Sequence, residues 1–490
     1  MLASFLGVYM KRPMILSAAV CILLSLLLIN ADSSVLIIVA TLCFDALVFL
    51  LIFKKTRVWA IIIALSFLFL LSMARLNINY IDEFKYFRGK QLKIEAVVTD
   101  VTIKEEYSSL KVKVTESKEL PRGTRLSLVY YNGNFTVGNE LTAEVKLWPI
   151  DKAGKKYNYA DKVFASGRIT KIIDTRYGDN IYHKLHNFKT RVTGILFSEL
   201  DYEKAAFCSA LTVGNKEYIS DDFYSDVRRS GVSHVIVVSG MHMSIICGSI
   251  YTLLNKIRFN KQASAIMTLL FMLFFMALCG FTPSVLRAGL MYGVFLLSRI
   301  FLQKGDGLNS LSIAVVLMLI LNPYLIWDVG FLLSAASTFG IIVLLPIIEG
   351  YIDKLVKFKW LNWLLKLSSI TVSALITTVP ISVYYFDEIS IVAVFTNIAI
   401  SFAVTALLIL VVIGIALHLI SGSNFLVSML FTASSVISSY IISVIKFFSS
   451  LPFAAIPCKM WAIMLIYILI LAIFIILKYT YIIRKEKRSV

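Results

Sequence analysis

Charge is scarce in this chain of 490 residues: 16% of it is Asp, Glu, Lys or Arg, against about 25% in soluble proteins. Acid is scarcer still, with 30 Asp+Glu facing 48 Lys+Arg and a formal net charge of +18. A soluble, disordered or fibrous chain is excluded. The six cysteines (Cys21, Cys43, Cys208, Cys247, Cys279, Cys458) lie in or beside apolar segments without CxxC or metal-knuckle spacing, which excludes a disulfide or zinc scaffold. The five histidines (His183, His186, His234, His242, His418) are too few for a histidine-rich two-metal hydrolase. Neither G-x-x-x-x-G-K-[ST] nor H-E-x-x-H occurs, so there is no P-loop ATPase and no zinc-protease helix, and no cofactor is expected.

Apolar residues are abundant, at 58%, and runs near the roughly 20 residues that cross a bilayer recur along most of the chain. The expected fold class is an α-helical polytopic membrane protein of about twelve transmembrane helices with an inserted small extracytoplasmic β-barrel. Residues 1–75 hold three spans, 76–180 the barrel, 181–232 amphipathic connecting helices, 233–482 a second membrane block and 483–490 a basic tail. Lys11 and Arg12 precede the first run with no small-residue cleavage site after it, so that run is read as a retained helix. The weak spans are 309–321, which is short, and 391–420, which fits one tilted helix or two half-helices.

Orientation follows from the basic loops, which favour the cytoplasm. Lys11 and Arg12, Lys54 to Arg57, Lys256 to Lys261, Lys304, Lys354 to Lys359 and Arg484 to Arg488 all fall on one side when the polar domain lies on the other. Both termini are then cytoplasmic, and the protein sits in a bacterial cytoplasmic membrane with lipid as its surroundings.

In the polar domain, apolar alternation of period two marks strands at Leu92 to Ala96, Leu110 to Val114, Leu126 to Leu128, Leu141 to Leu147 and Val163 to Ile169. Asn132-Gly133-Asn134 is a turn signal. Five short strands fit an OB-like barrel or a sandwich. Residues 75–200 carry 22 basic against 15 acidic residues, with aromatics interleaved, including Tyr107, Tyr157 and Tyr159. Cationic grooves with stacking rings hold single-stranded nucleic acid, which makes Lys111, Lys113, Arg122, Arg125, Tyr130, Tyr131, Trp148, Lys155 and Lys156 candidate contacts. Ordinary strand-forming tyrosines give the same composition.

Two polar clusters interrupt the second membrane block. The first runs from Ser233-His234 to Ser239-Gly240-Met241-His242 at the start of a span; the second is Gly280-Phe281-Thr282-Pro283-Ser284-Val285-Leu286-Arg287-Ala288. Pro283 and Ser284 suit a helix start, and Arg287 lies one turn inside, where a lipid-facing charge costs roughly 2.5–3.5 kcal/mol. Arg287 therefore needs water or a partner. Asp328 and Asp45 are candidate acids, and spans rich in Ser and Thr, such as Ser334 to Thr338, Ser368 to Thr378 and Ser434 to Ser439, line a polar route or serve as helix-packing glue. Ser239 lacks the G-x-S-x-G setting of a nucleophile elbow.

These clusters resemble the ComEC family of competence proteins. The resemblance rests on Ala210 to Gly214, Ser230-Gly231-Val232-Ser233-His234 leading to Ser239-Gly240-Met241-His242, Gly280 to Ala288, Asn322-Pro323 followed by Asp328-Val329-Gly330-Phe331, and Pro380 with Asn397. It extends more weakly to the barrel through Val137 to Leu141 and Asn158 to Gly167. It implies a channel component that passes single-stranded DNA across the membrane, not an enzyme, with a path lined or shaped by His234, Ser239, Gly240, His242, Pro283, Ser284, Arg287, Asp328 and Gly330. It also implies partners, namely a DNA receptor, an entry nuclease and a helicase-like ATPase, and admits a homo-oligomer. The H-x-H-x-D-H motif of the family's metallo-β-lactamase-like domain is absent, so no nuclease role carries over. Leu332 stands where the family usually has glutamine and Asp387 where glycine is common. The alternatives are a transporter or flippase of another substrate, and an intramembrane serine hydrolase using Ser239 and His242.

Overall fold

The computed structural model describes residues 13–28, 33–51, 57–82, 84, 87–103, 107–131, 135–150, 154–301 and 306–465. Lys11, Arg12, Lys54, Lys55, Asn132 to Asn134, Lys304 and the C-terminal run with its tail lie outside them, as do the side chains of Asp45 and Lys156.

Helices α1 (Pro13–Leu28), α2 (Ser33–Leu51) and α3 (Arg57–Leu76) come first, α3 running on into a π turn at Asn77–Asp82. Strands β1 (Gln91–Ile103), β2 (Ser108–Ser117), β3 (Arg125–Tyr130), β4 (Asn139–Pro149) and β5 (Val163–Tyr177) close into a barrel of order β1-β2-β3-β5-β4, with β3 and β5 parallel. The barrel, and not the sandwich, is what forms. The period-two residues Leu92, Ile94, Leu110, Val112, Leu126, Leu128, Val145 and Leu147 fill its interior, as the alternation requires. Strand β5 runs eight residues past its expected end because residues 170–177 pair with the first half of β4. Those residues are mostly exposed, so backbone hydrogen bonds hold them and no apolar pattern announces them.

A short helix, α4 (Lys155–Ala160), joins β4 to β5 and becomes the barrel's foot. Helices α5 (Ile181–Glu199), α6 (Tyr202–Val213) and α7 (Asp221–Arg229) lead to the second block. That block contains α8 (Gly240–Lys256), α9 (Lys261–Leu278), α10 (Pro283–Ile300), α11 (Gly307–Leu321), a 3-10 turn at Pro323–Trp327, α12 (Val329–Leu355), α13 (Lys359–Phe386), α14 (Ala393–Ser421) and α15 (Phe425–Ser450). A two-stranded ribbon, β6 (Glu388–Ser390) with β7 (Ala455–Pro457), ties the ends of this block together. Six described helices are long and apolar enough to cross a membrane: α3 with its π turn, α9, α12, α13, α14 and α15; α1, part of α2 and α11 are shorter and apolar. The run at 391–420 is one continuous helix, not two halves.

Two apolar cores organise the molecule. One joins α1 to α3, the barrel interior, α11, the 3-10 turn and Phe331; the other joins α5 to α10 with α14 and α15. Leu286 packs against both. The barrel is seated through aromatic rings: Tyr159 of α4, only 3% exposed, lies 5.1 Å from Phe164 and 5.2 Å from Tyr324. Asn322 completes the joint, donating through Nδ2 to the carbonyls of Tyr159 (3.2 Å) and Ala160 (2.7 Å) while its Oδ1 accepts from the Tyr324 N–H. Short connections reverse direction between successive helices from α8 to α12, so α8, α10 and α12 all begin at one end of the bundle. The 3-10 turn makes that end the one on which the barrel sits.

Candidate functional site

Thr282 holds the N-cap position of α10 without a side-chain capping bond, and Pro283 occupies its first turn, where a missing N–H costs nothing. Arg287 follows one turn later, and its side chain reaches one turn further along α10, to the level of Met291. It is 5% exposed. Its Nε donates to Ser334 Oγ of α12 at 2.8 Å, and its Nη1 donates to Thr338 Oγ1 and contacts Met291 Sδ. No carboxylate reaches it among the described residues.

Asp328 is therefore not the counter-ion of Arg287. Its Oδ1 accepts from the Phe331 N–H and caps α12, where a carboxylate both satisfies a free donor and meets the positive end of the helix dipole. Gly330 lies against this cap: a β-carbon there would stand 3.1 Å from Asp328 Oδ1 and 3.8 Å from Ser284 Oγ. Ser284 and Gly330 thus belong to the same wall as Asp328.

The first sequence cluster meets the second here. A β-carbon on Gly240, the first residue of α8, would lie 3.2 Å from Arg287 Nη2 and 3.6 Å from Ala288 Cβ, so the glycine admits the guanidinium to the mouth of α8. Ser239 precedes it as N-cap, and its N–H donates to His242 Nδ1 at 3.0 Å. His242 is fully buried; with Nδ1 accepting, the neutral ring carries its proton on Nε2, which finds no partner. The Ser239 hydroxyl is 3.5 Å from the same Nδ1. His234 lies in the turn before α8, exposed and near enough to His242 for the two rings to interact electrostatically. Gly231, at φ 76°, lets that turn press on α14: a β-carbon there would fall 2.4 Å from Ala393 Cβ.

The serine- and threonine-rich spans divide. Ser334 and Thr338 meet Arg287, whereas Ser368, Ser369, Thr378, Ser434 and Ser438 donate to carbonyls of their own helices. The latter group is satisfied within its own helices, while Thr377 donates across to the Ala336 carbonyl of α12.

On the barrel, the expected contacts also divide. Lys111 is held by Asp161 (2.7 Å) and Asp100 (3.6 Å), so it is not a free phosphate contact. Burial lowers its pKa, but Asp161 with Asp100 and Tyr157 together outweigh burial and the net direction is up. Arg125 is exposed and donates to the Asp161 carbonyl, while Arg122 is exposed in the turn before β3. Tyr159 is core, not a stacking surface, and Lys155 reaches over its ring. Lys113 reaches over Tyr182, and Tyr130 is half-buried against Phe135. Tyr131 (53% exposed) and Trp148 (37% exposed) do face out.

Each outward ring carries a cation that sequence reading did not single out: Arg168 lies 5.1 Å from the Tyr131 ring and Lys146 5.7 Å from Trp148. Register makes one surface of them, since Val129, Arg168 and Lys146 are direct cross-strand neighbours and Tyr107 packs on Tyr131. The Lys146–Trp148 pair was visible as an i, i+2 spacing on one face of β4; Arg168 required the parallel β3–β5 pairing.

Comparison with known proteins places this geometry. The sequence model for the family described as "Competence protein" matches residues 211–480. The chain belongs to the competence protein family. ComE operon protein 3 of Bacillus subtilis (strain 168) is 26% identical over 242 residues, which is 49% of this chain and 30% of that relative. The chain thus matches about a third of that curated relative's length. No solved structure matches. The competence region takes in both polar clusters and the capping motif at Asp328 to Phe331, while the barrel lies outside the match. The two departures from the family pattern now have physical settings. Asp387 ends α13 in the left-handed region (φ 54°), which glycine tolerates best and Asp better than most. Leu332 packs on the apolar core shared with the barrel, so at this position the chain has a packing contact where a polar path contact was expected.

Proposed function

We propose that this chain is a multi-pass component of the bacterial cytoplasmic membrane that passes single-stranded DNA inward during natural transformation. The observation that carries the reading is a buried arginine that no carboxylate reaches among the described residues, inside the competence region, at the bundle end where the barrel is seated. A phosphate backbone supplies the missing negative charge. In this reading the barrel lies outside and its Tyr131–Arg168 and Trp148–Lys146 surface gathers the strand, cations meeting phosphates and rings meeting bases. The basic residues Lys256, Arg258 and Lys261, with Lys354, Lys357 and Lys359, fall at the bundle end away from the barrel, in keeping with a cytoplasmic face there. Counting α1, α2, α8, α10, α11 and the C-terminal run with the six longer helices brings the spans to about twelve.

The chain is not an enzyme in this proposal. His242 Nδ1 is already occupied by a backbone N–H, which suits a helix cap better than a base for Ser239. Transport then draws on partners: a DNA receptor, an entry nuclease and a helicase-like ATPase, with self-association admitted.

The test is transformation frequency in a deletion strain complemented with the wild type or with Arg168→Ala/Trp148→Ala. Loss on deletion and a partial loss in the double variant are expected. In parallel, full-length double variant in detergent should bind single-stranded oligonucleotide at least about tenfold more weakly at low salt. Undiminished transformation in the deletion strain would sink the reading.

A further inference from the structure

The mouth of α8 combines features that no capping role uses up. The first N–H of α8 to bond back along the chain is that of Met243, to the Ser239 carbonyl, so the N–H groups of residues 240 and 241 precede the helix's own ladder. The helix is 17 residues long and brings a partial positive charge to this point. Arg287, from a different helix and 5% exposed, engages protein through Nε and Nη1 only. Its Nη2 has no hydrogen-bond partner among the described residues, and a β-carbon on Gly240 would stand 3.2 Å from it.

Ser334 and Thr338 accept from the guanidinium but bring no charge. They aim the guanidinium without neutralising it. A full positive charge so placed, with an unused donor beside a helix N-terminus, is complementary to a tetrahedral oxyanion, and Gly240 is what lets that donor reach the helix mouth, since a β-carbon there would meet it at 3.2 Å. The seam position agrees: the cluster lies where Leu286 bridges the two apolar cores, a place for a ligand between packed bodies.

We propose that Arg287 Nη2 and the N-terminus of α8 form a binding site for one phosphate oxyanion, held where a strand would leave the barrel and enter the bundle. The inference rests on the transport reading for its biological source, a phosphodiester of the passing strand, but the site itself is defined by its chemistry. A lipid headgroup offers the same oxyanion, so the sources must be separated.

The experiment uses the full chain in nanodiscs of phosphatidylcholine, with inorganic phosphate or hexathymidylate as probe, against chloride at equal ionic strength. Thermal unfolding should shift upward with either probe. Arg287→Gln and Gly240→Ala should each weaken the apparent affinity at least about tenfold, the weight of one charge-assisted hydrogen bond. Arg287→Lys, which keeps charge and fold but loses the fork, should weaken it less. Arg168→Ala/Trp148→Ala should leave inorganic phosphate binding unchanged. Nanodiscs containing phosphatidylglycerol form the second arm: if they abolish the phosphate shift in the wild type, the site belongs to a headgroup and the strand assignment is overturned. Absence of a phosphate shift in folded wild type, or an equal shift in Gly240→Ala, overturns the site. Loss of the phosphate shift in Arg287→Gln alongside normal transformation in the deletion strain keeps the site and removes the transport reading.

Discussion

Single residues here show how far identity alone specifies a role. Asp387 holds a left-handed φ of 54° at the end of α13, at a cost of about 1 kcal/mol that glycine does not bear. Asp387→Gly is expected to raise stability by up to about 1 kcal/mol, and Asp387→Val to lower it by roughly 1–2 kcal/mol, as read by thermal unfolding in detergent. His186 of α5 offers a pH-dependent case. Its pKa lies below the ordinary value, first because it is buried and then because Lys189 and His183 are near, with Glu217 opposing. The fold therefore favours the neutral ring, so its contribution is present above about pH 6.5 and is lost as pH falls toward the folded value. Wild type should lose stability between about pH 7.5 and 5.5 by more than His186→Gln does. An identical decline in the two proteins would assign the effect to other groups.

At the level of elements, the decisive feature is a joint. The chain folds a barrel from residues 91–177 and then, some 150 residues later, supplies the 3-10 turn that receives it. Asn322 serves both sides, capping its own turn and donating twice to the end of α4. Asn322→Ala removes the cap and both donors, and should cost about 2 kcal/mol, concentrated at the joint. Hydrogen exchange should then accelerate in α4 and the 3-10 turn while the barrel strands stay protected. Uniform exchange across the chain would mean that the aromatic cluster of Tyr159, Phe164, Tyr324 and Trp327 holds the joint without Asn322. That cluster also makes barrel and bundle one continuous apolar core, so the barrel is best assayed in place.

For the whole molecule, the division of charge is the organising fact. A net charge of +18 on an apolar chain separates into basic helix connections away from the barrel, a basic barrel whose outward rings Tyr131 and Trp148 carry cations, and the buried Arg287. If the barrel surface and Arg287 meet the same strand, binding by the full chain should weaken steeply with salt. Removing Arg168 should lower the slope of log affinity against log salt by about one unit, measured by oligonucleotide titration between about 50 and 200 mM salt. An unchanged slope with weaker binding would assign Arg168 to base stacking and not to phosphate.

Strand periodicity, apolar runs and helix-start chemistry are local properties, and residues 13–76, the barrel strands and the start of α10 were legible from them. Short-range pattern sufficed because burial of alternate residues and capping of free N–H groups depend on neighbours in the chain. The second half of β5 was not legible, since its residues pair through backbone groups and carry no apolar signature. Nor was the partner of Arg287: composition favoured the acid Asp328, while in three dimensions that carboxylate caps its own helix and the hydroxyls of Ser334 and Thr338, further along α12, reach the guanidinium. Lys111 was withdrawn from the binding surface by Asp161, and Arg168 was brought to it by a parallel strand pairing. Residue types and spacing settle which groups need partners; which partner each one finds depends on contacts between segments tens to hundreds of residues apart, and those exist only once the two cores have packed.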